Sequence, residues 1–173
     1  QTMDDTNNIT EAEAQNFIDD FYKKFTAVAE WIEGNKAFAR KHGFVWMIDE
    51  QRKRRLPEVR SKDKWQRFRA ERQATNAIIQ GSASIQTKVT MIAISDWCAE
   101  KRKQGRNFSI VATVHDEVLI YAPQDVTREE VYEFRDIMVN TMRLSVPNKT
   151  DIEIMKRWGE GFTIDEWFAQ TAQ

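Results

Sequence analysis

Apolar and polar positions follow two periods along this chain. From Thr10-Glu-Ala-Glu13, a capping box in which hydroxyl and carboxylate satisfy free amides reciprocally, Ala14, Phe17, Ile18, Phe21, Phe25, Val28, Trp31 and Ile32 recur at helical spacing. The spacing predicts one helix from about residue 10 to Lys41, stopped by Gly43. Phe44–Ile48 reads as a strand and Arg55-Leu-Pro57 as a short return piece, which Pro57 confines to an edge. A second helical pattern runs from about Lys64 to Lys103, with Phe68, Ala74, Ala77, Ile78, Ile85, Val89, Ile92 and Trp97 as its buried side. Gly81 is where that helix is expected to kink or divide. Two apolar strands over 108–122 form a hairpin. Thr127-Arg-Glu-Glu130 is a second capping box and opens a helix to about Arg143, broken by Pro147. Asp151–Met155 reads as a third strand and Thr163–Ala169 as a short terminal helix. The fold class is α+β: a small antiparallel sheet covered by long helices.

The hairpin carries the first candidate chemistry. Its bend holds His115, Asp116 and Glu117 and no glycine, although favoured hairpin turns need positive φ and usually recruit Asn-Gly or Asp-Gly. A local rule broken at a tight turn points to function. Asp116 is a hard oxygen donor suited to Mg²⁺, and His115 can donate to a phosphate or sugar. If Glu117 continues the strand, its side chain lies on the face opposite Asp116. Solvated turn residues are the plainer reading of all three.

Composition bounds the rest. The 173 residues have a formal net charge of −1 and enough apolar residues, six tryptophans and ten phenylalanines among them, for a real core. The single cysteine, Cys98, excludes an internal disulfide framework. No apolar run is long enough to span a bilayer and no signal peptide is visible, so a soluble, cytoplasmic protein without membrane contact is expected. The near-neutral total hides an asymmetry. Residues 1–33 hold eight acids and two lysines, whereas residues 51–72 hold ten bases and three acids. Such a basic field attracts polyanions; a solvated charged face is the alternative.

Next to that field, Arg72, Asn76 and Gln80 recur at i, i+4 and i+8 and share one helix face over roughly 12 Å. All three donate hydrogen bonds. A line of donors suits the minor groove of DNA, where every base pair offers acceptors at similar positions. The wet side of an amphipathic helix has the same pattern.

Together these segments resemble the C-terminal part of a family A DNA polymerase, the bacterial polymerase I type also found in phages. Val114-His-Asp-Glu-Val118 resembles that family's motif C, and Glu71-Arg-Gln-Ala-Thr-Asn-Ala-Ile-Ile-Gln-Gly-Ser-Ala83 its Arg-x-x-x-Asn-x-x-x-Gln-Gly-Thr-Ala helix. Gly43-Phe-Val45 with Arg54-Arg-Leu-Pro57, the segment Ile9 to Tyr22, and Leu144-Ser-Val-Pro147 with Trp158-Gly159 resemble further segments in order. The resemblance implies a single partial polymerase domain, fingers-like over about 1–70 and palm-like over about 71–173. It implies template-directed nucleotidyl transfer with primer-template DNA and dNTP as partners. Asp116 would be one of two palm carboxylates holding a Mg²⁺ pair, Glu117 a secondary acid and His115 a contact to the primer end. Arg72, Asn76 and Gln80 would track primer and template. Arg55 and neighbouring bases are candidates for phosphate contact, argued from charge.

The chain begins beyond that family's motif A and nucleotide-binding finger helix. One aspartate cannot hold two Mg²⁺ ions. Half of an active site is therefore expected, completed by an N-terminal polymerase fragment or subunit. A non-catalytic DNA-binding or assembly module is the alternative. A metal-dependent hydrolase would need clustered ligands, and the chain has only His42 and His115 as histidines.

Overall fold

The computed structural model describes residues 9–48 and 51–171. They fall into two compact units, divided between Ser82 and Ala83.

In the first unit, α1 (Glu11–Lys24) starts on the expected capping box: the Thr10 amide donates to Glu13 Oε2 at 2.9 Å and the Glu13 amide to Thr10 Oγ1 at 3.3 Å. The single helix expected to reach Lys41 is in fact two. Phe25 leaves helical geometry (φ −113°, ψ 62°), and α2 (Thr26–His42) follows. Phe25 closes one helix and opens the next: its amide donates to the Phe21 carbonyl, while its carbonyl accepts from Val28 and Ala29. Apolar spacing cannot register a one-residue break that leaves both stripes in phase. Gly43, at φ +78°, ends α2 in the left-handed conformation that glycine adopts without strain.

Strand β1 (Phe44–Trp46) pairs antiparallel with β2 (Lys53–Arg55), with Phe44 opposite Arg55 and Trp46 opposite Lys53. The return strand thus ends two residues before Pro57, which instead starts a 3-10 turn over Pro57–Arg60. Ala39, Val45, Leu56, Val59, Ala70 and Ala74 form the core of this unit, with Ala77 and Ile78 packed on it.

Helix α3 (Lys64–Lys103) has 40 residues and is unbroken at Gly81. Gly81 is there for close packing. A Cβ built on it would sit 2.4 Å from Met47 Sδ, and the adjacent Ser82 hydroxyl accepts the Ile48 amide at 3.0 Å. The segment after β1 thus lies directly on the helix. We expect Gly81→Val to cost roughly 1 kcal/mol or more by overpacking. Met47→Ala in the same chain should recover most of that loss in urea denaturation.

The second unit holds the rest of α3 and β3 (Ser109–Val114), β4 (Glu117–Tyr121), α4 (Arg128–Asn140), β5 (Glu153–Met155), β6 (Gly161–Thr163) and α5 (Ile164–Thr171). Its core gathers Ile94, Cys98, Phe108, Val126, Val131 and Phe134, and the hairpin residues Ile110, Val118 and Ile120 pack on it. The fold is α+β as expected, but among the described residues the strands form three separate two-stranded ribbons rather than one sheet. Two-stranded ribbons are marginal alone; β3–β4 borrows its stability from the apolar face it lays on that core. β6 was not anticipated, and α4 ends at Asn140, short of Arg143. The Asn148 side-chain amide donates to the Met138 and Val139 carbonyls and so closes the end of α4. Phe68 and Ile92, expected on the buried side of α3, are exposed. Among the described residues no helix is long and apolar enough to cross a membrane.

Candidate metal and nucleic-acid interface

The β3–β4 hairpin turns through two residues. Val114 and Glu117 are the last pair in register, which leaves His115 and Asp116 as the turn itself. His115 has φ +55°, the one positive φ outside glycine among the described residues. This answers how the bend manages without glycine: the imidazole-bearing residue takes the left-handed position. Histidine is among the few types enriched there, and the position still costs a non-glycine residue about 1–2 kcal/mol. Backbone strain of this kind collects at functional sites.

Glu117 is not in the bend. It begins β4, and alternation places it with Leu119 and Tyr121, on the face opposite Val118 and Ile120. His115, Asp116 and Glu117 are all exposed. Among the described residues no side-chain hydrogen bond or ion pair engages the Asp116 carboxylate, which leaves both oxygens available to a ligand. The donor type fits Mg²⁺, which takes one or two carboxylates together with phosphates and water. Asp116 and Glu117 do not make a complete site alone: no group of three or more His, Cys, Asp or Glu able to hold a metal occurs among the described residues.

Sequence reasoning missed what fixes this hairpin. Arg106, three residues before β3, donates through Nε and Nη2 to the two Glu130 carboxylate oxygens at 2.9 and 2.8 Å. It also donates through Nη1 to Asp125 Oδ2 at 2.8 Å and through Nη2 to the Asp125 carbonyl at 3.0 Å. One guanidinium thereby ties the chain entering the hairpin to the chain leaving it. Glu130 is buried and also accepts the Thr127 amide at 3.0 Å, so one carboxylate caps α4 and receives Arg106. Those bonds to Arg106, then to Thr127, hold its carboxyl below the usual range against the opposing effect of burial. At the start of β3, Arg102 donates to the Phe108 carbonyl at 2.7 Å. The one advance signal was Glu130 as the closing residue of its capping box; nothing local announced Arg106.

In the first unit, Arg72, Asn76 and Gln80 are exposed on one face of α3. The opposite face carries Ala70, Ala74, Ala77 and Ile78 into the core, which fixes the direction of the donor line. Glu71 is buried and receives Arg40 of α2 as a two-pronged pair, at 2.6 and 2.9 Å. That pair holds the Glu71 carboxyl below its usual range and locks α3 to α2. Arg55 is exposed on β2 in the same unit, and Lys53 lies 4.8 Å from the Phe44 ring centre and 5.6 Å from that of Trp46. The tip residues are thus gathered by one hairpin and the Arg72, Asn76 and Gln80 line by one helix, each set in its own unit.

The sequence profile of DNA polymerase family A matches residues 1–160. DNA polymerase I of Borreliella burgdorferi is 32% identical over 152 residues, covering 88% of this chain and 16% of the relative. The DNA polymerase of Bacillus phage SP01 is 30% identical over 162 residues, covering 89% of this chain and 17% of the relative. The chain therefore spans about one sixth of the length of these curated relatives. Among solved structures, the POL domain of a polymerase from M. smegmatis, in complex with DNA primer-template and dNTP, is similar with a TM-score of 0.72 and 32% identity. That match covers 80% of this chain and 24% of the other.

Proposed function

Because the chain belongs to DNA polymerase family A, we propose that its 173 residues are the C-terminal portion of a DNA-directed DNA polymerase, with about 1–70 serving as fingers and about 71–173 as palm. The observation that carries this is Asp116: an exposed carboxylate with no partner among the described residues, at a strained two-residue turn inside the matched region. The similarity to a polymerase domain complexed with primer-template and dNTP supports the substrate class.

Asp116 would hold a Mg²⁺ ion, and the chemistry such an ion would supply in a two-ion site is activation of the primer hydroxyl and stabilisation of the leaving pyrophosphate. Glu117 adds negative charge beside it, and His115 orients the primer end by donating a hydrogen bond. Arg72, Asn76 and Gln80 follow the acceptors of the minor groove, which are placed alike for every base pair, and so sense pair shape rather than sequence. Arg55 and its basic neighbours contact phosphate.

A second metal-holding carboxylate comes from polypeptide outside these residues. The exposed apolar side of α1 is where that polypeptide packs. Phe17, Phe21 and Phe25 line an open groove with Ile9, and α1 buries no residue of its own. An apolar patch of this kind marks a contact surface.

The decisive experiment is primer extension by this chain joined with the remaining polymerase portion, using Asp116→Ala as the variant. A second test addresses the donor line. Gln80→Ala should weaken primer-template binding roughly 2- to 10-fold, the worth of one hydrogen bond, with an unchanged circular-dichroism melt, since Gln80 is exposed. Collapse of the fold would instead assign Gln80 a structural role. Binding should also fall steeply with added salt; affinity that stays flat would contradict the phosphate contacts.

A further inference from the structure

The first two turns of α3 present an aromatic surface that neither the core nor the groove-reading role uses. Trp65 is 81% exposed and Phe68 47% exposed. Trp65, Phe68, Arg72 and Asn76 follow one another at intervals of three and four residues, so the rings extend the donor line along the same face, over roughly 22 Å from Trp65 to Gln80. The buried face, Ala70 and Ala74, is on the other side.

The surface is rigid. Asp63 caps the helix by accepting the Trp65 amide at 2.8 Å. Arg67 donates to the Ser61 and Lys62 carbonyls at 2.7 and 3.0 Å, and the Ser61 hydroxyl donates to Gln66 at 2.9 Å. It is also positive. Lys64 sits 5.4 Å from the Phe68 ring centre, and Lys62, Arg69 and Arg72 have no ion pair among the described residues. Of the nearby acids, Asp63 is spent on the cap and Glu71 on Arg40.

We propose that Trp65 and Phe68 form a stacking platform for unpaired DNA, so that α3 grips single-stranded template with its first turns and duplex with the Arg72–Gln80 line; this rests on the polymerase reading above. Two arguments select the occupant. An apolar protein partner would have to desolvate Lys62, Arg69 and Arg72 without compensating charge, whereas a nucleic-acid strand brings phosphates to them. In the interior of a duplex every base face is already stacked, so a strand running along this face covers the indole with an unpaired base.

The test uses the 173-residue chain and two labelled probes in fluorescence anisotropy: a DNA hairpin with a 5′ thymidine overhang, and the same hairpin blunt. Trp65→Ala should weaken overhang binding roughly 5- to 150-fold, the range for one lost base–aromatic stack, and leave blunt binding unchanged. Trp65→Phe should restore most of it. Thermal melts should coincide, since the ring is solvent-facing. Unchanged overhang binding in Trp65→Ala, or equal losses on both probes, would overturn the platform while leaving the polymerase reading intact. Wild-type binding no tighter on the overhang probe than on the blunt one would likewise overturn the platform. If sedimentation shows that Trp65→Ala dissolves a self-associated form without changing DNA affinity, the face is a protein contact and the platform falls.

Discussion

Asp116→Ala is expected to reduce Mg²⁺-dependent primer extension about a thousand-fold or more without unfolding the chain. Holding a metal at the reacting oxygens is worth several kcal/mol of charge stabilisation, and each factor of ten in rate takes about 1.4 kcal/mol. Among the described residues no hydrogen bond or ion pair holds the Asp116 carboxylate, so its removal should move stability by no more than about 0.5 kcal/mol. Glu117→Ala should cost less than Asp116→Ala, because Glu117 lies on the strand rather than at the turn. Extension of a labelled primer, with the chain joined to the rest of the polymerase, measures the loss, and a circular-dichroism melt supplies the control. Undiminished extension by the variant would remove Asp116 from the chemistry and favour a DNA-binding or assembly module.

The other large effect is on stability. Glu130→Ala should destabilise the second unit by about 2–3 kcal/mol in urea denaturation. Three donor groups lose their acceptor: Nε and Nη2 of Arg106 and the Thr127 amide. Breaking a buried pair from one side costs about 3–5 kcal/mol. The lower figure follows because Arg106 keeps its bonds to Asp125. The pH dependence has a definite sign. The Glu130 carboxyl titrates below its ordinary value of 4.5. Its contribution is therefore complete above about pH 4.5, where the unfolded chain has also lost its proton, and drains away as pH falls through the lowered folded value. Glu130→Gln should remove that share of the acid sensitivity. A Glu130→Ala variant as stable as the parent would show that the Arg106 clamp does not hold the hairpin base. Loss of the clamp should also loosen the turn that carries Asp116, coupling this variant to weaker extension.

Helices were legible wherever their signals were local. Both capping boxes and the whole span of α3 follow from hydroxyl, carboxylate and apolar spacing within a few residues. The break at Phe25 was not legible, because it rests on one residue's backbone angles. The buried side of α3 was legible only in part. Ala74, Ala77 and Ile78 face the core, whereas Phe68 and Ile92 are apolar and exposed. Apolar type says which residues can be buried; only the elements that pack on each stretch of the helix say which are. Gly81 shows the same limit, since its reason lies 34 residues away at Met47.

The sequence by itself determined the family, the α+β class, and the two sets of candidate residues, because motif order, turn composition and helical phase are properties of neighbouring positions. Tertiary structure alone decided that His115 takes the left-handed turn position and that Glu117 belongs to the strand. It also decided that Arg106 joins Glu130 and Asp125, at separations of 24 and 19 residues. Such contacts have no period and no composition; they exist only once distant segments are brought within hydrogen-bonding reach.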